Sequence, residues 1–412
     1  MKLKKIILFM SLFIIFFTSI SFGTTEIDIN AEAGLLVEVS TGKVLYEKNA
    51  YKKMYPASTT KILTAILVLE NCNLDDIVTV SRSALSNIPQ GYVTCNLQAG
   101  EEISVKDLLY ALMVPSANDA AFVLAEHVGG SVENFANMMN KKAEEIGCTG
   151  THFVNPNGIH DDNHYTTAYD LYLMANYAMK NDTFKDIVST TNYILPLTNK
   201  YNSNDRVLTT TNDLLKKNSK NYYYKYAIGI KTGHTTEAGN CLVAESSKDD
   251  FNLISVVLNG RTNSDGLNDR YIDTINLFDY GYENYIFSNI IEKNSIITSI
   301  DVSNATKDTK NLDLIADNTI TALHDNSLDL NTLKPDIHLN EDISAPISIG
   351  DKIGTATYTV DNTEYTVNLL ANSNVEKDIS FYIIICIVGI LLLFISLHIM
   401  KKSKKKKNNR KK

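Results

Sequence analysis

Two serines and two lysines stand in short motifs from which acyl-transfer chemistry could be built: Ser58-Thr59-Thr60-Lys61, Ser116-Ala117-Asn118 and Lys231-Thr232-Gly233. A serine hydroxyl is a weak nucleophile until a neighbouring base takes its proton. Ser58 and Lys61 are three residues apart, so on a helix they share a face and the amine can reach the hydroxyl. Helix N-terminal N–H groups beside Ser58 favour negative charge where an oxyanion would form. Ser116 and Asn118 follow Pro115 between two helical runs, where a loop can lower both onto the same centre. Lys231 to Gly233 ends a strand. Glycine there would let a substrate backbone lie along the strand edge as a further strand, and the cations with Thr232 could hold a terminal carboxylate. Singly, Ser58 reads as a helix N-cap and Ser116 as a turn residue. The three motifs together, in this order, describe a site.

The elements that must position these motifs follow from periodicity. Gly34 to Val39 alternates into Ser40-Thr41-Gly42-Lys43 and then Val44-Leu45-Tyr46, a β-hairpin. Pro56-Ala57-Ser58 opens a helix with Ile62, Leu63, Ile66, Leu67 and Leu69 at helical spacing. Helical patterns return from Val105 to Gly147 and from Ala168 to Met179, with Asn155-Pro156-Asn157-Gly158 as a turn between them. Ile228 to Lys231, Asn240 to Glu245 and Leu253 to Leu258 read as three strands, and Asp265 to Tyr282 as a closing helix. Early strands, a helical middle and late strands predict an α/β (α+β) domain with an antiparallel sheet flanked by helices and closed by both ends of the domain. Past Ile286 helical periodicity disappears, and Lys352 to Tyr358 and Glu364 to Leu369 suggest a small all-β domain.

The two ends address the chain to a compartment. Three lysines within Met1 to Lys5, an apolar run from Ile6 to Phe17 and the small residues Ser21 and Gly23 have the layout of a secretory signal. Phe381 to Met400 is long and apolar enough to span hydrocarbon, and nine basic residues follow it. The positive-inside rule puts that tail in the cytoplasm and everything before Ser380 outside. The expected division is a signal peptide at 1–23, a catalytic domain at 24–285, a β-rich domain at 286–372, a linker at 373–380, a transmembrane anchor at 381–400 and a basic tail at 401–412. The end segments hold twelve of the 39 basic residues and none of the 47 acids, so the body between them carries 27 basic and 47 acidic residues. So acidic a body argues against a nucleic-acid partner. Four of the five cysteines fall in it without the spacing of a stapled scaffold or a zinc knuckle.

The three motifs are the known signature of class A β-lactamases and penicillin-binding proteins. From Glu32 to Tyr282 the chain resembles the low-molecular-weight penicillin-binding proteins that act as serine-type D-alanyl-D-alanine carboxypeptidases. Tyr55-Pro56-Ala57-Ser58, Asp107-Leu108-Leu109-Tyr110, Asn118-Asp119-Ala120-Ala121 and His152 to Gly158 match that family. So do His164 to Asp170, Lys231 to Thr235 and Gly260-Arg261-Thr262. The family's second β-domain and C-terminal anchor also have counterparts. Two departures are Ala117, where glycine is usual, and an anchor that spans the bilayer where many relatives use an amphipathic helix. The resemblance implies a β-lactamase/DD-peptidase-like fold with Ser58 as acylated nucleophile and Lys61 as its base. It implies that Ser116 relays a proton to the leaving amine and Asn118 holds the substrate peptide. Lys231, Thr232 and Gly233 would lie at the substrate carboxylate, with Arg261 as a further contact. The N–H groups of Ser58 and His234 would form the oxyanion hole.

The expected activity is removal of the terminal D-alanine from peptidoglycan stem pentapeptides, with β-lactam antibiotics as covalent inhibitors and no cofactor. A β-lactamase-like hydrolase is an alternative, but no Glu-x-x-Leu-Asn element is present to place a deacylating water. A catalytically silent wall-binding scaffold is another, against which the complete acylation set argues. His160 and His164 have the spacing of a helical zinc pair. The stretch follows Asn157-Gly158 and is loop-like, so no metal is expected there.

Overall fold

The computed structural model describes residues 27–203 and 206–409; the expected signal peptide lies outside them. The chain divides into two compact units after Glu283.

The first unit is built on a five-stranded antiparallel sheet. Its strands are β1 (Ala33–Glu38), β2 (Val44–Lys48), β3 (Ala227–Thr235), β4 (Gly239–Lys248) and β5 (Phe251–Gly260), in spatial order β2-β1-β5-β4-β3. β1 enters beside β5, with Leu35 opposite Val256, so the first and last strands of the unit close the sheet together as expected. β3 forms one edge, and Lys231, Thr232 and Gly233 lie along it. The inner strands read as continuous apolar runs because both faces are covered: Leu253 to Leu258 is buried throughout. Helix α1 (Lys61–Asn71) is buried from Lys61 to Val68, as its apolar circumference requires. Around it and the sheet stand α2 (Val105–Met113), α3 (Asn118–Gly129), α4 (Val132–Ile146) and α5 (Ala168–Ala178), which share one core. Ser104, Ser131 and Thr167 cap the N-termini of α2, α4 and α5 through their hydroxyls. A final helix, α6 (Asp269–Asn284), lays Gly281 against Leu253 and Leu36; a Cβ there would lie 2.7 Å from Leu253 Cδ1.

The second unit is built of β-strands apart from a 3-10 turn at Leu330–Thr332 and its last helix. Five antiparallel strands stand in the order Ile296–Asp301, Asn311–Ala316, Thr363–Ala371, Lys352–Val360, Asp336–Leu339. A separate pair joins Tyr285–Ile291 to Ile320–Asp325. Leu312, Leu314, Ala356, Val367 and Leu369 form its core, alternating along their strands with more exposed residues. The stretch expected as a linker is instead part of this unit as far as Asp378. Val375 pairs with Ile347 and is buried, Thr306 N–H donates to Glu376 O, and Asp378 N–H donates to Asn304 O. A single apolar residue in a polar run carries no periodicity, so the sequence pattern does not show this. Helix α7 (Ser380–Asn409) follows with a mean hydropathy of 3.0 over its apolar part, none of which is buried.

A buried charge fastens one flank of the first unit. Arg206 Nη2 lies 2.7 Å from Glu101 Oε1, with the Glu101 side chain wholly out of solvent. Thr198 Oγ1 and the Gln98 N–H also donate to that carboxylate, and the guanidinium lies over the Tyr201 ring at 3.8 Å. Neither Nη of Arg206 makes a well-directed hydrogen bond, so the pair is held by charge. Arg206→Met, which strands the carboxylate, is expected to lower the unfolding free energy by about 3 kcal/mol in chemical denaturation.

Candidate active site

The turn that carries Ser58 is a single 3-10 turn, Ala57–Thr60, running directly into α1. Ala57 stands in the left-handed region at φ +48°. The buried face of α1 presents two polar side chains, Lys61 and Thr64, and one loop answers both. Lys61 Nζ donates to Asn157 O at 3.1 Å and Thr64 Oγ1 to Pro156 O at 2.6 Å. Asn155 Oδ1 shapes that loop by accepting from Asn157 N–H at 3.3 Å and Gly158 N–H at 2.7 Å. Gly158 is required where it stands: at φ +86° its Cβ would lie 1.8 Å from Ala57 O.

Lys61 Nζ also lies 2.9 Å from Ser58 Oγ and donates to Asn118 Oδ1 at 2.9 Å. Burial holds this amine well below the ordinary lysine range, the Lys231 charge pushes the same way, and Asp119 opposes both. Lys231 is equally buried and donates to Thr232 O at 2.8 Å. Burial, then the Arg270 charge, pulls it down to about 7. Asn118 Oδ1 accepts from Asn157 Nδ2 as well, at 2.9 Å, and its own Nδ2 donates to Val93 O at 2.9 Å.

A cleft of about 570 Å³ opens above these groups, and Ser58, Ser116, Asn118, Thr232, Gly233 and His234 line it. Lys61 and Lys231 lie behind its wall at 0 % and 1 % exposure. Ser116 is held at φ +68° and Ala117 in ordinary extended backbone, so alanine meets no conformational objection where glycine is usual. Thr232 Oγ1 lies 2.5 Å from Thr211 Oγ1. His234 is exposed, with its Nδ1 3.2 Å from Gly239 O.

Gly233 has a second reason beside the one its motif suggests. A Cβ there would lie 3.0 Å from both Pro56 O and Ser58 N, so the glycine makes room for the serine turn. Arg261 is not brought to the cleft; it lines a separate hollow with Asn259 and Asp269. The cation on the cleft is Arg270, in the first turn of α6, whose Nη1 donates to Gly233 O at 3.1 Å. Asn157, Gly158 and Arg270 were therefore missed as site residues. The first two lie in a turn that matches the family but carries no residue type that announces a role, and Arg270 lies in no motif. The histidine pair separates: His164 is buried with both ring nitrogens bonded inside the protein, while His160 stacks edge-on against Tyr55 at 4.6 Å. Among the described residues no group of three or more potential metal ligands is gathered.

Residues 20–262 match the family model described as D-alanyl-D-alanine carboxypeptidase, and residues 287–377 match that of the C-terminal domain of penicillin-binding protein 5. The chain is 33% identical over 338 residues to the D-alanyl-D-alanine carboxypeptidase DacF of Bacillus subtilis, covering 81% of this chain and 82% of that one. The crystal structure of the D-alanyl-D-alanine carboxypeptidase DacD from Francisella tularensis superposes with a TM-score of 0.63 at 27% identity, over 88% of this chain and 97% of that one. A Streptomyces DD-transpeptidase superposes at 0.58 and 34% identity over 63% of this chain and 99% of its own. With its first unit carrying the serine–lysine centre and its second the companion β-domain, this chain belongs to the low-molecular-weight penicillin-binding proteins of the serine-type D-alanyl-D-alanine carboxypeptidase family.

Proposed function

We propose that this D-alanyl-D-alanine carboxypeptidase works through an acyl-enzyme on Ser58, with Lys61 as the base. The observation that carries the reading is the disposition of the Lys61 amine. A neutral amine has two N–H donors and one lone pair; with the donors spent on Asn118 Oδ1 and Asn157 O, the lone pair faces Ser58 Oγ. Ser58 gives its proton to Lys61 as it attacks the carbonyl of the penultimate D-alanine. The oxyanion is received by the N–H groups of Ser58 and His234. Ser116 passes a proton to the leaving D-alanine amine, and water then hydrolyses the ester. Asn118 keeps one Nδ2 hydrogen for the substrate peptide. Thr232 and Arg270 meet the terminal carboxylate, with the Lys231 charge behind them.

The substrate class is the peptidoglycan stem pentapeptide, and β-lactams acylate the same serine. Helix α7 is read as a transmembrane anchor: its apolar side chains from Phe381 to Met400 are exposed to whatever surrounds them, and hydrocarbon is the solvent that suits them. The basic residues after it then lie in the cytoplasm and both folded units outside.

Ser58→Ala is expected to abolish D-alanine release from a pentapeptide and covalent labelling by a fluorescent penicillin while leaving the melting temperature nearly unchanged. An adduct mapped by mass spectrometry to another residue overturns the assignment. The intact protein should hold the label stably; rapid turnover indicates a lactamase, and no label a scaffold. A chain ending at Asp378 should be secreted soluble and active, and retention on membranes would place the anchor elsewhere. Acylation should rise with pH through a group titrating well below free lysine, because its base is buried. Lys231→Met removes a like charge, which raises the Lys61 pKa and moves that limb to higher pH. A folded variant whose limb stays put assigns the whole depression to burial.

A further inference from the structure

Ala57, immediately before the proposed nucleophile, stands at φ +48°, a region that costs an L-residue energy unless its surroundings hold it. Its carbonyl is held from two sides. Thr60 Oγ1 donates to it at 2.8 Å, and Gly158 is packed so closely against it that no Cβ fits between. The Thr60 hydroxyl has a second neighbour, His164 Nε2, at 2.8 Å. One hydroxyl proton cannot serve both, so the tautomer of His164 decides where it goes. Val154 N–H donates to His164 Nδ1 at 3.1 Å, which places the ring's lone pair on Nδ1 and its hydrogen on Nε2. The imidazole stays neutral, since burial holds its pKa down to about 3 against the smaller opposing effect of Asp161. The bonds therefore run in one direction, from Val154 N–H through His164 and Thr60 to the Ala57 carbonyl.

That carbonyl and the Ser58 N–H belong to one planar trans peptide and point in opposite directions. Drawing the carbonyl toward Thr60 turns the Ser58 N–H the other way. We infer that His164 is a positioning residue: through Thr60 and the Ala57 carbonyl it fixes the peptide plane that aims the Ser58 N–H at the developing oxyanion. The inference rests on Ser58 being the acylated residue. It gives a role to a buried histidine that touches neither substrate nor nucleophile.

The test compares four single variants and one double variant, His164→Phe with Thr60→Val, by the rate constant for acylation with a penicillin, measured well below their melting temperatures. His164→Phe fills the space beside Phe153, whose ring centroid lies 5.0 Å away, but cannot donate. Thr60→Val keeps shape without the hydroxyl. His164→Gln can accept from Val154 and donate to Thr60, and Thr60→Ser restores the hydroxyl. Phe and Val should each slow acylation about 10- to 100-fold, the scale of a slightly misplaced reacting group. The double variant should be no slower than the worse single, because both break one relay. Gln and Ser should recover most of the rate. The pre-covalent dissociation constant and the pH limb set by Lys61 should not move. Should His164→Phe fail to fold, Thr60→Val and the two conservative variants decide the matter. A folded Thr60→Val or His164→Phe protein that acylates normally overturns the inference, as do losses that multiply in the double variant. An adduct that still maps to Ser58 in these proteins keeps the acyl-enzyme reading intact in either case.

Discussion

Taking a primary amine wholly out of water is costly unless it is neutral or its charge is answered, and much of the first unit is arranged around that constraint at Lys61. The side chain is fully buried, yet its nitrogen has three oxygen neighbours at 2.9 to 3.1 Å, each from a different segment. Ser58 belongs to the same helical turn, Asn118 opens α3, and Asn157 lies in the loop that α1 also grips through Thr64. Asn118 is fixed in turn by the Val93 carbonyl. Asp119, next along, holds the segment just after Val93 by accepting from the Cys95 and Leu97 N–H groups at 3.0 to 3.1 Å. The same aspartate is the charge that opposes the depression of Lys61. One nitrogen thus organises three segments, and the stretch around Val93, which also lines the cleft, is tied to them.

The two serines of the site stand on unusual backbone. Ala57, just before Ser58, and Ser116 itself both have positive φ without being glycine. Such conformations persist where packing and hydrogen bonds over-determine them. At Ala57 the Thr60 bond and the press of Gly158 supply that, and Gly233 leaves the space into which the turn protrudes. Three glycine or left-handed positions from distant parts of the chain therefore meet at one turn.

Where the candidate site is built from polar side chains in compact motifs, its assembly was legible in the chain. Ser58, Lys61, Ser116, Asn118 and Lys231 to His234 assemble around or behind one cleft, and the hairpin, the helical middle and the three late strands form the expected sheet and layers. What escaped detection acts through backbone or through register. Asn157 contributes a carbonyl oxygen, which no residue type advertises. Gly158 contributes the absence of a Cβ. Arg261 and Arg270 are nine residues apart, and the local motif Gly260-Arg261-Thr262 favours the one that the fold keeps from the cleft. The choice is made where β5 ends and α6 begins, with Arg261 N–H held by the Asp269 carboxylate and Arg270 turned back toward Gly233 O. The polar run before α7 hid its attachment to the β-unit because that attachment rests on one buried valine, main-chain bonds and the polar side chains of Asn374 and Thr309, none of which makes a periodic pattern.

The charges of the first unit have opposite effects at two ranges. From residue 24 to Glu283 acids outnumber bases 32 to 21, whereas Arg270 lines the cleft and Lys231 lies behind its wall. A peptide carboxylate arriving from solution meets a repulsive field before it meets an attractive one. Mobile ions weaken the first far more than the second, because screening falls on charges separated through solvent by more than about 8 Å at physiological ionic strength and much less on buried ones. Encounter between this protein and an anionic peptide therefore quickens as salt is added, the reverse of steered association between opposite charges.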